Sequence, residues 1–204
     1  MSDVKLAKDP YNVIITGVGG QGNVLVARLL GGMLTKKGLL VTIGETFGAS
    51  QRGGSVMSHL RISRQTMASP QIPRGRADVI VSLEPAEALR VLALYGNPGT
   101  MLLTNSHPIY PVGVIKGELA YPPVAEMEAA VKEILPAAHF IGATSRALAL
   151  GNSILVNIVM LGALGSLNVV PFNREDFQEA IALRLPTGQL AINLKAFDEG
   201  YGMV

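Results

Sequence analysis

The chain has 204 residues, of which 49% are apolar, 16% are charged and 23 are glycine, with a formal net charge of +2. That length and composition suit one α/β domain with a large core and many tight turns, and so small a net charge gives no support to general nucleic-acid binding through backbone phosphates. Without a cysteine, the chain forms no disulfide and ligates no zinc or iron–sulfur cluster through thiolates, which suits a reducing, cytoplasmic compartment.

The first ten residues, MSDVKLAKDP, alternate in charge and read as a tail rather than a secretion signal; one domain is expected over residues 11–204. Tyr11 to Thr16 is a short β-branched run ending in glycine, as a buried parallel strand should. After Gly17-Val-Gly-Gly-Gln-Gly22, residues Asn23 to Lys37 carry apolar positions at helical spacing, with Gly38 as the stop. Leu39 to Ile43 reads as the next strand, completing a βαβ unit.

Val56 to Ile62 alternates, with polar Ser55, His59 and Arg61, and predicts a partly exposed strand. Residues 64–77 hold Pro70, Pro73 and Gly75 and read as a loop. Asp78 to Leu83 is a buried strand, and Glu84-Pro85 opens a helix running to Tyr95. Thr100 to Asn105 is a strand, 106–123 is irregular, Val124 to Leu135 is a helix and Ala138 to Ile141 a short strand. Ser153 to Leu167 is a helix apolar on all sides. It lies within an uncharged stretch, 147–173, whose asparagines and Pro171 argue against a membrane span, so a core or subunit-interface helix is expected, with self-association as one use of it. Asn173 caps a helix from Arg174 to Leu185, and Leu190 to Phe197 begins the last one. The alternation predicts a three-layer α/β/α sandwich with a mostly parallel, Rossmann-like sheet.

Three features carry function. Gly17, Gly19 and Gly22 fit G-x-G-x-x-G between a strand and a helix, the context in which glycines let a phosphate approach bare backbone at a helix amino end. Glu45 falls about where a ribose-binding acid would sit. On these residues a nicotinamide dehydrogenase and a loop whose glycines serve packing alone both stand, although Gly20 and Gln21 add an extra glycine and an amide to the loop. Second, no acid lies between Glu45 and Asp78, whereas Arg52, Arg61, Arg64, Arg74 and Arg76 do, which is either a solvated face or a patch for an anion or acidic partner. Third, Gln51-Arg52-Gly53-Gly54-Ser55 sets a guanidinium among glycines, a fork able to hold carboxylate or phosphate with two hydrogen bonds. His59, His107 and His139 lack metal-ligand spacing, and no nucleophile–base pair is visible, so no catalytic or metal-binding residue is expected.

The loop Gly17 to Gly22, followed by Glu45-x-x-Gly48-x-x-Gln51-Arg52-Gly53-Gly54-Ser55-Val56, resembles the gamma subunit or domain of the 2-oxoacid:ferredoxin oxidoreductases, and among them the small subunit of the indolepyruvate type. Asn152 to Asn157, Leu161 to Leu164 and Asn193 to Phe197 extend the resemblance to most of the chain. It implies a complex that oxidatively decarboxylates a 2-oxoacid with coenzyme A and reduces ferredoxin. Thiamine diphosphate, magnesium and 4Fe-4S clusters would sit on companion subunits. It further implies that Gly17, Gly19, Gly20, Gln21, Gly22 and Glu45 contact a cofactor or a subunit, and that Gln51, Arg52, Gly53, Gly54 and Ser55 contact substrate, coenzyme A or a subunit.

Overall fold

The computed structural model describes residues 5–47 and 54–204. In chain order the elements are β1 (Tyr11–Val18), α1 (Asn23–Lys36), β2 (Leu40–Phe47), β3 (Ser55–Ser63), β4 (Val79–Ser82), α2 (Pro85–Tyr95), β5 (Met101–Asn105), α3 (Val112–Ile115), α4 (Val124–Ile134), β6 (His139–Ile141), α5 (Ala143–Ala149), a 3-10 turn (Ser153–Leu155), α6 (Val156–Ser166), α7 (Arg174–Ala182) and α8 (Thr187–Tyr201). The six strands form one sheet in the order β2-β3-β1-β4-β5-β6. β1, β4, β5 and β6 are parallel neighbours, giving the expected α/β fold with a mostly parallel sheet.

Every residue of β1 is buried, because helices cover both sides of the sheet. Val13 and Ile15 point into a core shared with α1, α6, α7 and α8, and Ile14 into a second core with α2, α4 and Ile72. This is the period-two alternation of a central strand between two helical layers.

Two expectations change. β2 does not neighbour β1: it continues to Phe47, and the chain returns as β3, which pairs antiparallel with β2 on one side and with β1 on the other. A hairpin strand therefore stands inside the expected βαβ unit. For the same reason β3 is more buried than an edge strand: Ser58, His59, Leu60, Ile62 and Ser63 are buried, while Ser55, Met57 and Arg61 stay partly exposed. The 64–77 loop folds back over it, so that the Ile72 amide donates to His59 Nδ1 at 3.3 Å and the His59 ring meets Tyr95 edge-on at 5.2 Å. Burial lowers the His59 pKa, and the accepting Nδ1 fixes the neutral tautomer with its proton on Nε2.

α6 is a core helix. Val156 to Gly165 are all buried, and the helix packs against this chain's own α8. A Cβ on Gly162 would lie 2.0 Å from the Phe197 carbonyl oxygen and one on Gly200 1.8 Å from that of Val159, so the two backbones touch. The face of α6 that meets α8 is therefore filled within this chain, which makes α6 a core helix. Asn173 and Asp176 cap α7 reciprocally, each side chain accepting from the other's amide at 3.0 and 2.8 Å. The last helix starts earlier than expected, directly after Pro186, and α3 and α5 were not anticipated. No helix among the described residues is long and apolar enough to cross a membrane.

Candidate functional site

Because β1, β4, β5 and β6 run the same way, their carboxyl ends share one edge of the sheet, where open α/β folds place ligands. The glycine loop leaves β1 there, Leu83 and Glu84 leave β4, the long 106–121 segment leaves β5, and Thr144 follows β6. β3 begins at the same edge, with Ser55 opposite Val18.

The loop is built largely from its own side chains. Gln21 folds inward: its Oε1 accepts from the Val18 amide at 2.7 Å and its Nε2 donates to the Leu83 carbonyl at 2.9 Å, tying β1 to β4. Gly17 is required because a Cβ there would lie 2.6 Å from Gln21 Oε1 and 3.0 Å from Asn23 Oδ1. At Gly22, φ is +88° and a Cβ would lie 2.3 Å from Asn157 Nδ2, so close packing and left-handed backbone both select glycine. Gly20, at φ +105°, borders open space. The Gly19 amide donates to the Gly54 carbonyl at 2.8 Å, which joins the loop to the start of β3. With glycine at its cap and no side-chain hydrogen bond there, α1 presents its first amides, and the positive end of its dipole, towards this edge.

Beside Gly20 and Gln21 lies a cleft of about 240 Å³ whose other walls include His107, Ile109, Thr144 and Ser153. Thr144 is held by Asn105, whose Nδ2 donates to Thr144 Oγ1 at 2.9 Å while its Oδ1 accepts the Thr144 amide at 3.2 Å. Glu84, 1% exposed, caps α2 through the Glu87 amide at 2.8 Å. Its other oxygen accepts from the Ile109 amide and from the Tyr121 hydroxyl, so one buried carboxylate pins two points of the 106–121 segment. Burial first, and the Glu84 hydrogen bond second, push the Tyr121 pKa above the ordinary tyrosine range. Ser55 donates to Glu87 Oε2 at 2.5 Å, which fastens the start of β3 to the first turn of α2.

Glu45 lies on β2 and meets Arg28 at 3.6 Å. Since β3 stands between β2 and β1, Glu45 is offset from the glycine-loop strand by about 10 Å instead of one strand spacing. Of the other expected site residues, Gly54 and Ser55 join this edge, while Gln51, Arg52 and Gly53 lie outside the described residues. Asn157, Thr144, Glu84 and Tyr121 escaped sequence reasoning. Only Asn157 left a signal, as an amide inside an apolar helix; its Oδ1 and Asn23 Oδ1 are buried beside the loop without hydrogen-bond partners among the described residues.

Over residues 12–203 the chain matches the pyruvate ferredoxin/flavodoxin oxidoreductase family. The chain belongs to that family. Among family relatives, the indolepyruvate oxidoreductase subunit IorB of Pyrococcus horikoshii is 41% identical over 192 residues, covering 93% of this chain and 94% of the relative. The IorB subunit of Thermococcus kodakarensis is 38% identical with the same coverage. In fold, the pyruvate oxidoreductase subunit PORC of Thermotoga maritima aligns with a TM-score of 0.71 and 19% identity, over 96% of this chain and 97% of that one. The family membership agrees with the resemblance read from the glycine loop and the Gln-Arg-Gly-Gly-Ser stretch. The donor set here does not fit the redox groups of such complexes: there is no cysteine, and no group of three or more His, Asp or Glu among the described residues is placed to hold a metal ion.

Proposed function

We propose that this chain is the accessory, gamma-type subunit of a cytoplasmic 2-oxoacid:ferredoxin oxidoreductase of the indolepyruvate kind, with residues 11–204 acting as one unit. The complex converts a 2-oxoacid and coenzyme A to an acyl-CoA and carbon dioxide, and the two electrons released pass to ferredoxin. Thiamine diphosphate, magnesium and the iron–sulfur clusters belong to the companion subunit, so no bond-breaking step runs through the residues described above. The observation that carries this reading is 41% identity across nearly the whole of both chains to a protein named as an indolepyruvate oxidoreductase subunit.

The stand-alone dehydrogenase has less support. Its acid would have to reach across β3, and the Gly19 amide that should meet a pyrophosphate already serves Gly54. What remains suited to an anion is the uncapped start of α1 beside the cleft, and both coenzyme A and a 2-oxoacid are anionic. Arg52, supported by Gln51 and the Gly53-Gly54-Ser55 backbone, binds one of these anions in the assembled complex. This proposal is supported by where the chain re-enters the described structure, at Gly54, bonded to the glycine loop.

The test is reconstitution with a companion chain that carries the thiamine and cluster sites. The pair oxidises an arylpyruvate in a coenzyme A-dependent manner, and this chain alone does not; turnover by the purified chain, or full activity of the companion without it, refutes the assignment. In the same assay Arg52→Ala raises the KM for one anionic substrate about 10-fold or more, as expected for a lost charge-assisted contact. Unchanged KM, kcat and assembly rule out a binding role for Arg52.

A further inference from the structure

The described arginines of the acid-free stretch lie away from the glycine loop. β3 carries the chain from Ser55, opposite Val18, to Ile62, opposite Tyr11, a run of about 24 Å at the usual rise per residue. Arg61, near the far end of β3, and Arg64, Arg74 and Arg76 beyond it gather at the amino-terminal edge of the sheet, opposite the glycine loop.

A cleft of about 540 Å³ opens at that edge, lined by Lys8, Asp9, Asn12, Arg61, Arg76 and Asp78 among others, and Arg74 lies between two more of its wall residues, Pro73 and Gly75. The Arg64 amide donates to Asp9 Oδ2 at 3.0 Å, which places Arg64 at the rim. Five cations thus stand against two carboxylates, and both carboxylates are engaged. Asp78 is 7% exposed, pairs with Lys8 at 2.6 Å and accepts the Asn12 amide at 2.9 Å. Arg61 is held by Asn12 Oδ1 and Ser69. Arg74 and Arg76 are exposed, and neither side chain has an ion pair or hydrogen bond among the described residues.

We propose that this edge docks an acidic segment of a protein, with its carboxylates on Arg74 and Arg76, as a partner site separate from the glycine-loop edge. The inference is independent of the subunit reading. Charge complementarity argues for it: two uncompensated guanidinium forks on a surface whose own acids are already engaged, Asp78 by Lys8 and Asp9 by the Arg64 amide, match a run of carboxylates. The buried polar groups of the cleft floor, Asn12 and Asp78, spend their bonds internally, so the available donors sit along the rim, where an extended chain reaches them and a small buried ion does not. A net charge of only +2, with one carboxylate in the floor and another at the rim, fits an acidic peptide better than a phosphate ladder.

The test uses the purified full chain and a fluorescent oligoglutamate peptide, with anisotropy as the readout. Binding is expected in about 50 mM salt and weakens several-fold by about 200 mM. Arg74→Glu/Arg76→Glu lowers affinity about 10-fold or more, while the charge-matched pair Arg184→Glu/Lys195→Glu, at exposed positions elsewhere, leaves it unchanged. Both pairs should melt like the parent protein, since none of these side chains has a partner to lose. No binding at low salt, equal loss with the control pair, or displacement of the peptide by inorganic phosphate or duplex DNA at lower charge concentration than by unlabelled peptide overturns the proposal.

Discussion

Replacing Gly162 with alanine puts a methyl carbon 2.0 Å from the Phe197 carbonyl oxygen, 2.9 Å from its carbon and 3.1 Å from its Cα, where ordinary contact begins at 3.4 Å. The obstacle is helix backbone, so no side-chain rotation relieves it, and α6 and α8 must part. Parting them disturbs Phe197, which is fully buried and stacked on Phe177 with ring centroids 4.5 Å apart. Overpacking of this kind costs about 1–3 kcal/mol and sometimes more, and a rigid backbone clash belongs at the upper end; alanine in place of glycine returns about 1 kcal/mol of helix propensity. The net expectation is a loss of about 2 kcal/mol, or a fall in melting temperature of about 4–8 °C for a chain of this size. Gly200→Ala, which meets the Val159 carbonyl at 1.8 Å, should cost a similar amount, and the double variant less than the sum, because one separation relieves both clashes. Gly32→Ala is the control: Gly32 lies exposed in α1 with open space where its Cβ would go, so the same substitution there should stabilise by about 0.5–1 kcal/mol. Calorimetric melts of the four variants decide it. If Gly162→Ala melts at or above the parent while Gly32→Ala behaves as stated, the two helices are not in backbone contact and the account of the core is wrong.

His59 makes stability pH-dependent. Its folded pKa lies below the unfolded value near 6.5, so as pH falls through that value the unfolded chain takes up a proton that the folded chain refuses. The contribution is complete above pH 6.5 and declines below it; urea denaturation between pH 8 and pH 5 should show the decline, and His59→Asn should flatten it. Tyr121→Phe removes one of the bonds by which Glu84 holds the 106–121 segment, and a hydrogen bond to a charged group is worth about 1.5–3 kcal/mol. Faster amide exchange confined to that segment is the expected signature, and unchanged exchange there would show that Glu84 does not order it.

Much of the fold was legible because it rests on local rules. The β-branched run at Tyr11, Pro85 after an acid and Asn173 three residues before Asp176 each name their element without reference to the rest of the chain. The placement of β3 was not legible, because alternation is the same whether a strand lies at an edge or between two others; burial of His59 depends on where Ile72 returns. Likewise α6 announced by its composition that it would be buried but not what would bury it, since the complement of Gly162 is a backbone carbonyl 35 residues later. At the site, the glycines were visible and the purpose of each was not. Gln21 serves as a strut between β1 and β4 while also lining the cleft, and Arg61, Arg64, Arg74 and Arg76 gather at one edge only because β3 and the following loop carry them there.

A single peptide N–H has one proton to give. The Gly19 amide gives it to Gly54, the first described residue after the Gln-Arg-Gly stretch, so any anion that recruits this amide displaces the carbonyl that holds the start of β3 against the glycine loop. An anion on that amide and the seated start of β3 would then compete for one donor, and by linkage a partner that binds the hairpin would change the loop's affinity for the anion by the same factor as the anion changes the partner's. A companion that reads the hairpin would thereby read whether the loop is filled.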